Sequence, residues 1–260
     1  MSTRNAAVAG FFYEADASRL QDHVNQLLDA ASDESEPVPE ILIVPHAGYV
    51  YSGSTAACAY RRLRKHPDRV RRILLMGPAH RVYVAGMAIP SVDSFTTPLG
   101  EVALDRGGLE RIAAMPGVEI SDEAHREEHS LEVQLPFLQT VLNDFMLMPV
   151  VVGGADAAIV AAVIDAFAGD SCTLIVISSD LSHFKSYAEA QRFDADTCAR
   201  ILGKATDLVG EQACGARAIN GLMASQRGQT LEVSLLQTCN SGDTAGSRDR
   251  VVGYGAFALY

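Results

Sequence analysis

The chain has 260 residues, of which 48% are hydrophobic, and a formal net charge of −11 at pH 7. This length suits a single α/β domain with a sizeable core, and we expect residues 1–260 to form one domain. The acidic balance argues against a nucleic-acid partner, and no apolar run approaches the ~20 residues that cross a membrane. Five scattered cysteines and no visible secretion signal predict a protein of the reducing cytoplasm.

The first half of the chain alternates apolar runs with helical patterns. Asp16 is a suitable N-cap for a helix with apolar residues at every third or fourth position. We predict, in chain order, a helix over 16–31, an acidic loop over 32–39, a strand over 40–45, a glycine-bounded turn over 48–53, a helix over 54–63, a strand over 72–79, and short strands over 87–90 and 101–104 joined by a loop over 95–100.

The second half continues the alternation. A helical pattern covers 127–143, where Pro136 marks a kink or a new start. The remaining predicted elements are strands over 145–152, 172–177, 231–236 and 251–259, and helices over 156–167, 187–202 and 216–224. This order predicts a layered α/β fold with a central, largely parallel or mixed sheet flanked by helices.

Three polar clusters directly follow three continuous aliphatic runs. His46 follows the first run, His80 follows the second, and residues 178–183 follow the third. Such runs are typical of strands buried on both faces. Because parallel strands share one carboxyl edge, where ligands bind, we expect the three clusters to converge on one site.

His46 and His80 are the predicted metal ligands, although each histidine alone would also suit a hydrogen bond at a strand end. Neutral imidazole is the commonest protein ligand for transition metals. Two histidines and one carboxylate are the ligands of non-haem Fe(II) oxygenases. Asp243 would complete such a site and favour Fe(II). Cys239 is the rival third ligand and would give a softer site that favours copper, zinc or thiolate-ligated iron.

Asp180 and His183 form a candidate catalytic pair. Their spacing of three residues brings them together if Asp180 starts a helical turn. A histidine held beside a carboxylate near a metal can move protons to or from a substrate. The alternative is that Asp180 is only a helix N-cap.

His125 and His129 are four residues apart, as in metalloprotease helices, but Arg126 stands where that pattern requires glutamate. We therefore interpret His129, Glu132 and Tyr49 as residues that line the pocket. His125 is expected at the surface.

Taken together, the motifs resemble the Memo family (mediator of cell motility and its microbial relatives). The resemblance runs from about residue 4 to the C-terminus and rests on segments in the family's order. These are residues 8–13 (VAGFFY), 45–53 (PHAGYVYSG), 77–80 (GPAH), 128–132 (EHSLE), 178–183 (SSDLSH), 241–243 (SGD) and 251–256 (VVGYGA).

The resemblance implies a fold similar to the class III extradiol dioxygenases of the LigB type, which are non-haem Fe(II) enzymes. It also implies a metal site at His46 and His80, with Asp180 and His183 nearby. In the eukaryotic branch a cysteine is the third ligand and copper or iron binding is attributed to the site. That cysteine falls on Thr244 here, and this departure counts against the cysteine ligand and against a copper redox role inferred from it. The microbial Ser-Gly-Asp version instead offers Asp243.

The leading hypothesis is a cytoplasmic non-haem metal-dependent oxidoreductase of dioxygenase-like design that acts on a small enediol or phenolic substrate. Two alternatives stay open: a protein that binds a peptide or small ligand in the same crevice without turnover, and a metal-assisted hydrolase. Only Arg81 adds a basic residue to the proposed site segments, which weighs against phosphate recognition.

Overall fold

A computed structural model of the protein describes residues 2–32 and 37–260. Residues 33–36 of the predicted acidic loop over 32–39 therefore lie outside the described residues. Within them, helices and strands alternate along most of the chain, as the sequence predicts.

The helices are α1 (Ala17–Ala30), α2 (Tyr49–Tyr60), α3 (Arg106–Ala113), α4 (Asp122–Arg126), α5 (His129–Glu132), α6 (Leu135–Val141), α7 (Ala157–Phe167), α8 (Tyr187–Leu202), α9 (Ala216–Ala224) and α10 (Gln226–Thr230). The strands are β1 (Thr3–Arg4), β2 (Ile41–Val44), β3 (Arg72–Pro78), β4 (Met87–Ile89), β5 (Ser94–Thr97), β6 (Gly100–Ala103), β7 (Val118–Ile120), β8 (Met146–Val152), β9 (Thr173–Ser178), β10 (His183–Lys185), β11 (Val233–Asn240) and β12 (Val251–Leu259).

A large mixed sheet forms the centre of the fold. Its order is β10-β12-β2-β9-β3-β8-β4-β7. Strand β11 pairs antiparallel with residues 253–259 of β12. The four middle strands β2, β9, β3 and β8 are parallel, whereas β12 and β4 run antiparallel to their neighbours in this group. In the register of the middle strands, Leu74 lies between Ile175 and Met148. These strands are almost entirely buried, and the predicted layered α/β fold is confirmed.

Helices cover this sheet in two groups. Helices α1, α2 and α6 pack on one another, and α2 contacts β2 and β12. Helices α7, α9 and α10 form the second group, in which α9 contacts β3. The aliphatic residues of the middle strands are therefore removed from water, which is the main source of stability for such a sheet.

The sheet order brings three chain segments to one edge. Strands β2 and β3 flank β9, and all three are parallel. His46, His80 and Asp180 each come two residues after the last residue of their strand. Residues that follow adjacent parallel strands by the same number of positions lie at the same edge of the sheet. This explains why the three predicted polar clusters converge.

Two local predictions need correction. Residues 94–97 form β5 rather than a loop, because they pair with both β1 and β6 in a separate small sheet. The predicted turn over 48–53 is instead the start of α2. Gly53 permits α2 to pack closely on α1, since a Cβ at this position would meet Leu27 at 2.8 Å. The prediction that Pro136 marks a new start within 127–143 is confirmed. The structure ends α5 at Glu132, and Pro136 stands in the first turn of α6, where its missing N–H costs no hydrogen bond.

Within the described chain, no helix combines the length and the apolar composition that crossing a membrane requires. All five cysteines are free thiols.

Candidate metal centre

Three imidazoles meet at the carboxyl edge of the central sheet. His46 and His80 follow β2 and β3, and His129 is the first residue of α5. One ring nitrogen from each lies within 4.8 Å of the other two. The ring centroids are 5.2 Å apart for His46 and His80 and 4.6 Å apart for His80 and His129. The structure therefore brings the predicted pair together and adds a third imidazole.

Hydrogen bonds determine which nitrogen of His46 is available to a metal. Its Nδ1 lies 2.9 Å from the Ser178 hydroxyl. That hydroxyl donates its only proton to the carbonyl of Ser130 at 2.6 Å and accepts a hydrogen bond from Gln134. The Nδ1 of His46 must therefore be the donor, so Nε2 carries the lone pair. A fixed Nδ1–H with a free Nε2 is the usual arrangement of a metal-binding histidine.

Glu128 selects the same tautomer for His80, with the proton on Nδ1. The Glu128 carboxylate accepts hydrogen bonds from the His80 backbone N–H at 2.6 Å and from its Nδ1 at 2.9 Å, which leaves Nε2 free. The same carboxylate caps α5 by accepting from the backbone N–H of Ser130. Burial acts to raise the pKa of Glu128, but the hydrogen bonds and charge of His80 and the backbone donors lower it to about 2. Glu128 is therefore ionised at neutral pH.

His129 contributes a buried nitrogen without a hydrogen bond. Its Nδ1 has no partner in the described structure, and the nearest carboxylate oxygen, on Glu128, is 3.4 Å away. Burial lowers the pKa of His129 to about 4 and holds the pKa of His46 well below its usual value. Both rings are thus neutral at physiological pH, the form that binds metals. An unpartnered buried nitrogen on His129, beside the free Nε2 of His80 and the Nε2 of His46, whose contact is the Cys214 sulfur at 3.4 Å, fits a transition-metal ion.

A cavity of about 410 Å³ reaches this cluster at His129. Its walls include the aromatic rings of Phe11, Phe12, Tyr51 and Tyr254. Its polar lining includes the side chains of Asp180, His183 and Arg250. The cavity therefore offers a small substrate an aromatic surface next to titratable groups.

Asp180 lies at the base of the site but does not start a helical turn. Residues 179–182 are irregular and His183 begins β10, so the predicted helical pairing is wrong. The Asp180 carboxylate instead accepts the backbone N–H of His46 at 2.7 Å. Burial raises the pKa of Asp180 to about 7. Burial also lowers the pKa of His183.

The structure does not bring Asp243 or Cys239 to the imidazoles. The Asp243 carboxylate accepts hydrogen bonds from the Tyr187 hydroxyl and from the backbone N–H of Asn240, which caps a short 3-10 turn. The Cys239 sulfur lies 3.1 Å from the Thr55 hydroxyl. Both residues line a separate cavity of about 220 Å³. Cys239 lies near the end of β11 and Asp243 follows that strand, which β12 separates from β2. His129 takes the third position instead.

Two of the predicted pocket residues are structural. Tyr49 is buried, donates its hydroxyl to the carbonyl of Val133, and packs on Phe137. Glu132 is fully buried and forms an ion pair with Arg4, and it accepts the Tyr13 hydroxyl at 2.5 Å. Of the three residues predicted to line the pocket, His129 does so.

His125 is buried rather than exposed, which corrects the expectation for this residue. Its Nε2 lies 3.0 Å from the carbonyl oxygen of Ala88, and Phe95 packs against the edge of its ring. Its own carbonyl accepts from Arg4. Burial lowers the pKa of His125 to about 4.

Sequence reasoning missed Glu128, Cys214 and Arg250. A signal existed for Glu128, which is a carboxylate directly before a candidate histidine. The Cys214 sulfur lies 3.4 Å from His46 Nε2 and accepts the backbone N–H of Asp180, a contact between segments 168 residues apart that no local pattern encodes. Arg250 stands just before β12 in an otherwise polar stretch and carries no local signal.

A family model described as Memo-like protein matches residues 4–258. A MEMO1 family protein of Aquifex aeolicus is 34% identical over 267 residues, covering 98% of both chains. A MEMO1 family protein of Thermoplasma volcanium is 33% identical over 262 residues, covering 96% of both chains. The crystal structure of an uncharacterized protein from Escherichia coli K12 is similar in fold, with a TM-score of 0.53 and 14% identity over 84% of this chain and 99% of that chain.

Proposed function

We propose that this chain, which belongs to the Memo family, binds one divalent transition-metal ion at His46, His80 and His129 and is a metal-dependent enzyme. The observation that carries the proposal is the meeting of three neutral or hydrogen-bonded imidazoles within 4.8 Å. Imidazole ligands suit zinc, copper, iron and nickel. We favour Fe(II), with copper or zinc as alternatives.

The surroundings of the three histidines support this assignment. Ser178 and Glu128 fix two rings so that each presents Nε2. Such hydrogen bonds orient metal ligands and typically raise metal affinity about 10–100-fold. The third ring has a buried nitrogen that a metal ion would satisfy. Three protein ligands leave further coordination positions for substrate on the cavity side.

A bound ion would supply a Lewis-acid centre that holds an electron-rich substrate group. The chain itself would handle protons. Asp180, with its pKa raised to about 7 by burial, is present in both protonation states near neutral pH and lines the cavity. His183 lines the same cavity, and its lowered pKa keeps the ring neutral and able to accept a proton. Groups with such pKa values suit general acid–base catalysis.

The reaction that we propose is oxidation of a small enediol or phenolic substrate, in a dioxygenase-like manner. The aromatic walls formed by Phe12, Tyr51 and Tyr254 favour a planar substrate beside the cluster. The Memo-family motifs also imply a fold similar to that of the extradiol dioxygenases, which supports a dioxygenase-like oxidation.

Metal-assisted hydrolysis is a second candidate, and one observation favours it. The three ligands are all imidazoles, whereas the Fe(II) oxygenase set contains a carboxylate. Three histidines with an open fourth position are a ligand set of catalytic zinc sites that activate water.

Metal content tests the first part of the proposal. Protein purified without chelators or a histidine tag, then loaded anaerobically with Fe(II) or Zn(II), is expected to hold one ion per chain by elemental analysis. His46→Ala, His80→Ala and His129→Ala should each abolish stoichiometric metal. Asp243→Ala and His23→Ala are matched controls and should retain it. Retention of metal in the three cluster variants would refute the site.

Oxygen consumption separates the two reactions. Oxygen uptake by the Fe(II)-loaded protein with catechol-type substrates supports the oxidoreductase, and Asp180→Asn should slow it while leaving metal content unchanged. Zinc-dependent ester or amide hydrolysis without oxygen uptake would instead support the second candidate.

A further inference from the structure

Arg250 stands on the wall of the 410 Å³ cavity without an acidic partner. It lines this cavity together with His129, Asp180 and His183. Other arginines of the chain, such as Arg227 with Glu40, form ion pairs. In the part of the chain that the structure describes, no carboxylate lies within 4.0 Å of the Arg250 guanidinium, whose recorded contact is the ring of Phe184 at 4.9 Å.

Phe184 adopts a backbone conformation that bulky residues avoid. Among the described non-glycine residues, only Phe184 and Lys204 have positive φ, at 61° and 57°. Lys204 follows the end of α8, where the left-handed conformation is common. Phe184 instead occupies a bulge in the pairing of β10 with β12. A strained aromatic residue in contact with two residues of the cavity wall suggests a functional constraint.

The bulge has a clear geometric result. It brings Phe184, a residue that is 63% exposed, into contact with two cavity residues. The ring centroid lies 5.8 Å from that of His183 and 4.9 Å from the Arg250 guanidinium carbon. Phe184 thus supports the guanidinium next to the proposed proton-handling histidine.

The cation–π contact with Phe184 leaves the N–H donors of Arg250 available. A guanidinium that lies over an aromatic ring uses its face and keeps its N–H donors in the plane. Those donors form a fork that matches the two oxygens of a carboxylate or phosphate group. The positive charge is also not neutralised, because the ring carries no net charge.

The rest of the molecule would not attract anions by itself. The net charge is −11, so the overall field repels them. Selective binding of an anion in this cavity therefore requires a local cation, and Arg250 is the arginine or lysine side chain that lines it.

We propose that the cavity selects a small organic anion with an aromatic or other planar body, whose carboxylate or phosphate group binds to Arg250 and which Phe184 helps to position. The assignment of this anion as the substrate rests on the proposed metal-dependent function. The anion recognition itself does not, and it can be tested in the metal-free protein.

Isothermal titration calorimetry with benzoate and benzamide tests the proposal, because these probes have nearly the same shape and differ in charge. The titrations use the full chain in metal-free form and after Zn(II) loading, with metal content measured separately. Benzoate is expected to bind about tenfold more tightly than benzamide, a ratio typical of one charge-assisted contact. Phenyl phosphate, in a parallel titration, shows whether carboxylate or phosphate is preferred.

Two variants and one control show which residues cause the preference for benzoate over benzamide. Arg250→Gln should bring the ratio of benzoate to benzamide affinity to about one, and Phe184→Leu should lower it in part while benzamide binding stays unchanged. Arg248→Gln is the matched control, because Arg248 also stacks on an aromatic ring, that of Tyr187 at 4.4 Å, but does not line the cavity. Its ratio should equal that of the wild type.

The proposal is overturned if the wild type does not bind benzoate, binds it no better than benzamide, or keeps its preference in Arg250→Gln. If neither the wild type nor its variants bind metal, but benzoate still binds and this binding depends on Arg250, the metal-dependent function is refuted and the anion recognition stands.

Discussion

Glu128 holds His80 at two points, since its carboxylate accepts both the His80 backbone N–H at 2.6 Å and the ring Nδ1–H at 2.9 Å. The carboxylate thereby connects the end of β3 to the start of α5. Because His129 is the first residue of α5, the same contact sets the position of the third imidazole. One side chain therefore organises two of the three proposed ligands.

Glu128→Gln should weaken metal binding about 10–100-fold, because the amide carries no charge to stabilise the Nδ1–H of His80 and its NH2 group cannot accept one of the two hydrogen bonds. The measurement is competitive Zn(II) titration against a chromophoric chelator. Glu127→Gln is the control, as Glu127 is the exposed neighbour and should leave affinity unchanged. Equal affinity of the Glu128→Gln variant and the wild type would show that Glu128 does not orient a ligand.

Glu132→Gln should lower the free energy of unfolding by about 3–5 kcal/mol, because it leaves the buried charge of Arg4 uncompensated. The urea midpoint measures this loss. Exposed Glu101→Gln should have almost no effect. Adding Arg4→Met to Glu132→Gln removes the stranded charge, so the double variant should be more stable than the sum of the single losses implies. Strict additivity would contradict the ion-pair explanation.

Acid should destabilise the protein partly through His125. Burial lowers its pKa to about 4 in the folded state, whereas an unfolded histidine titrates near 6.5. Between these values the unfolded chain binds more protons, so the free energy of unfolding falls as pH falls from about 6.5 to about 4. The contribution of this one residue reaches about 3 kcal/mol.

Urea unfolding at several pH values measures this effect as a slope. His125→Gln keeps a side chain that can donate to the Ala88 carbonyl but cannot titrate, so its stability should depend less steeply on pH in this range than that of the wild type. His66→Gln serves as the control. Identical slopes for His125→Gln and the wild type would show that His125 is not buried as a neutral ring.

Much of the site was predictable because His46, His80 and Asp180 each directly follow a strand that the local sequence pattern identifies. The aliphatic runs before His46, His80 and Asp180 identify three buried strands, and one common offset places those residues at the same edge. Helices α8 and α9 and strand β12 also have the predicted bounds, since their apolar patterns and ends lie within each segment.

Other features depend on partners that are distant in the chain. β5 is a strand because β1, about 90 residues earlier, pairs with it. Asp243 follows a strand, as a ligand at this edge would, but that strand lies beyond β12, and its carboxylate caps a turn instead.

The sequence alone determined the buried strands of the central sheet, the family motifs and the two histidines at the sheet edge, because hydrophobic periodicity and strand length are local properties. The tertiary structure decided the third imidazole, the stacked Arg250 and the burial of His125. Each of these depends on a contact between residues 37 to 66 positions apart in the chain, and such contacts exist only after the sheet has assembled.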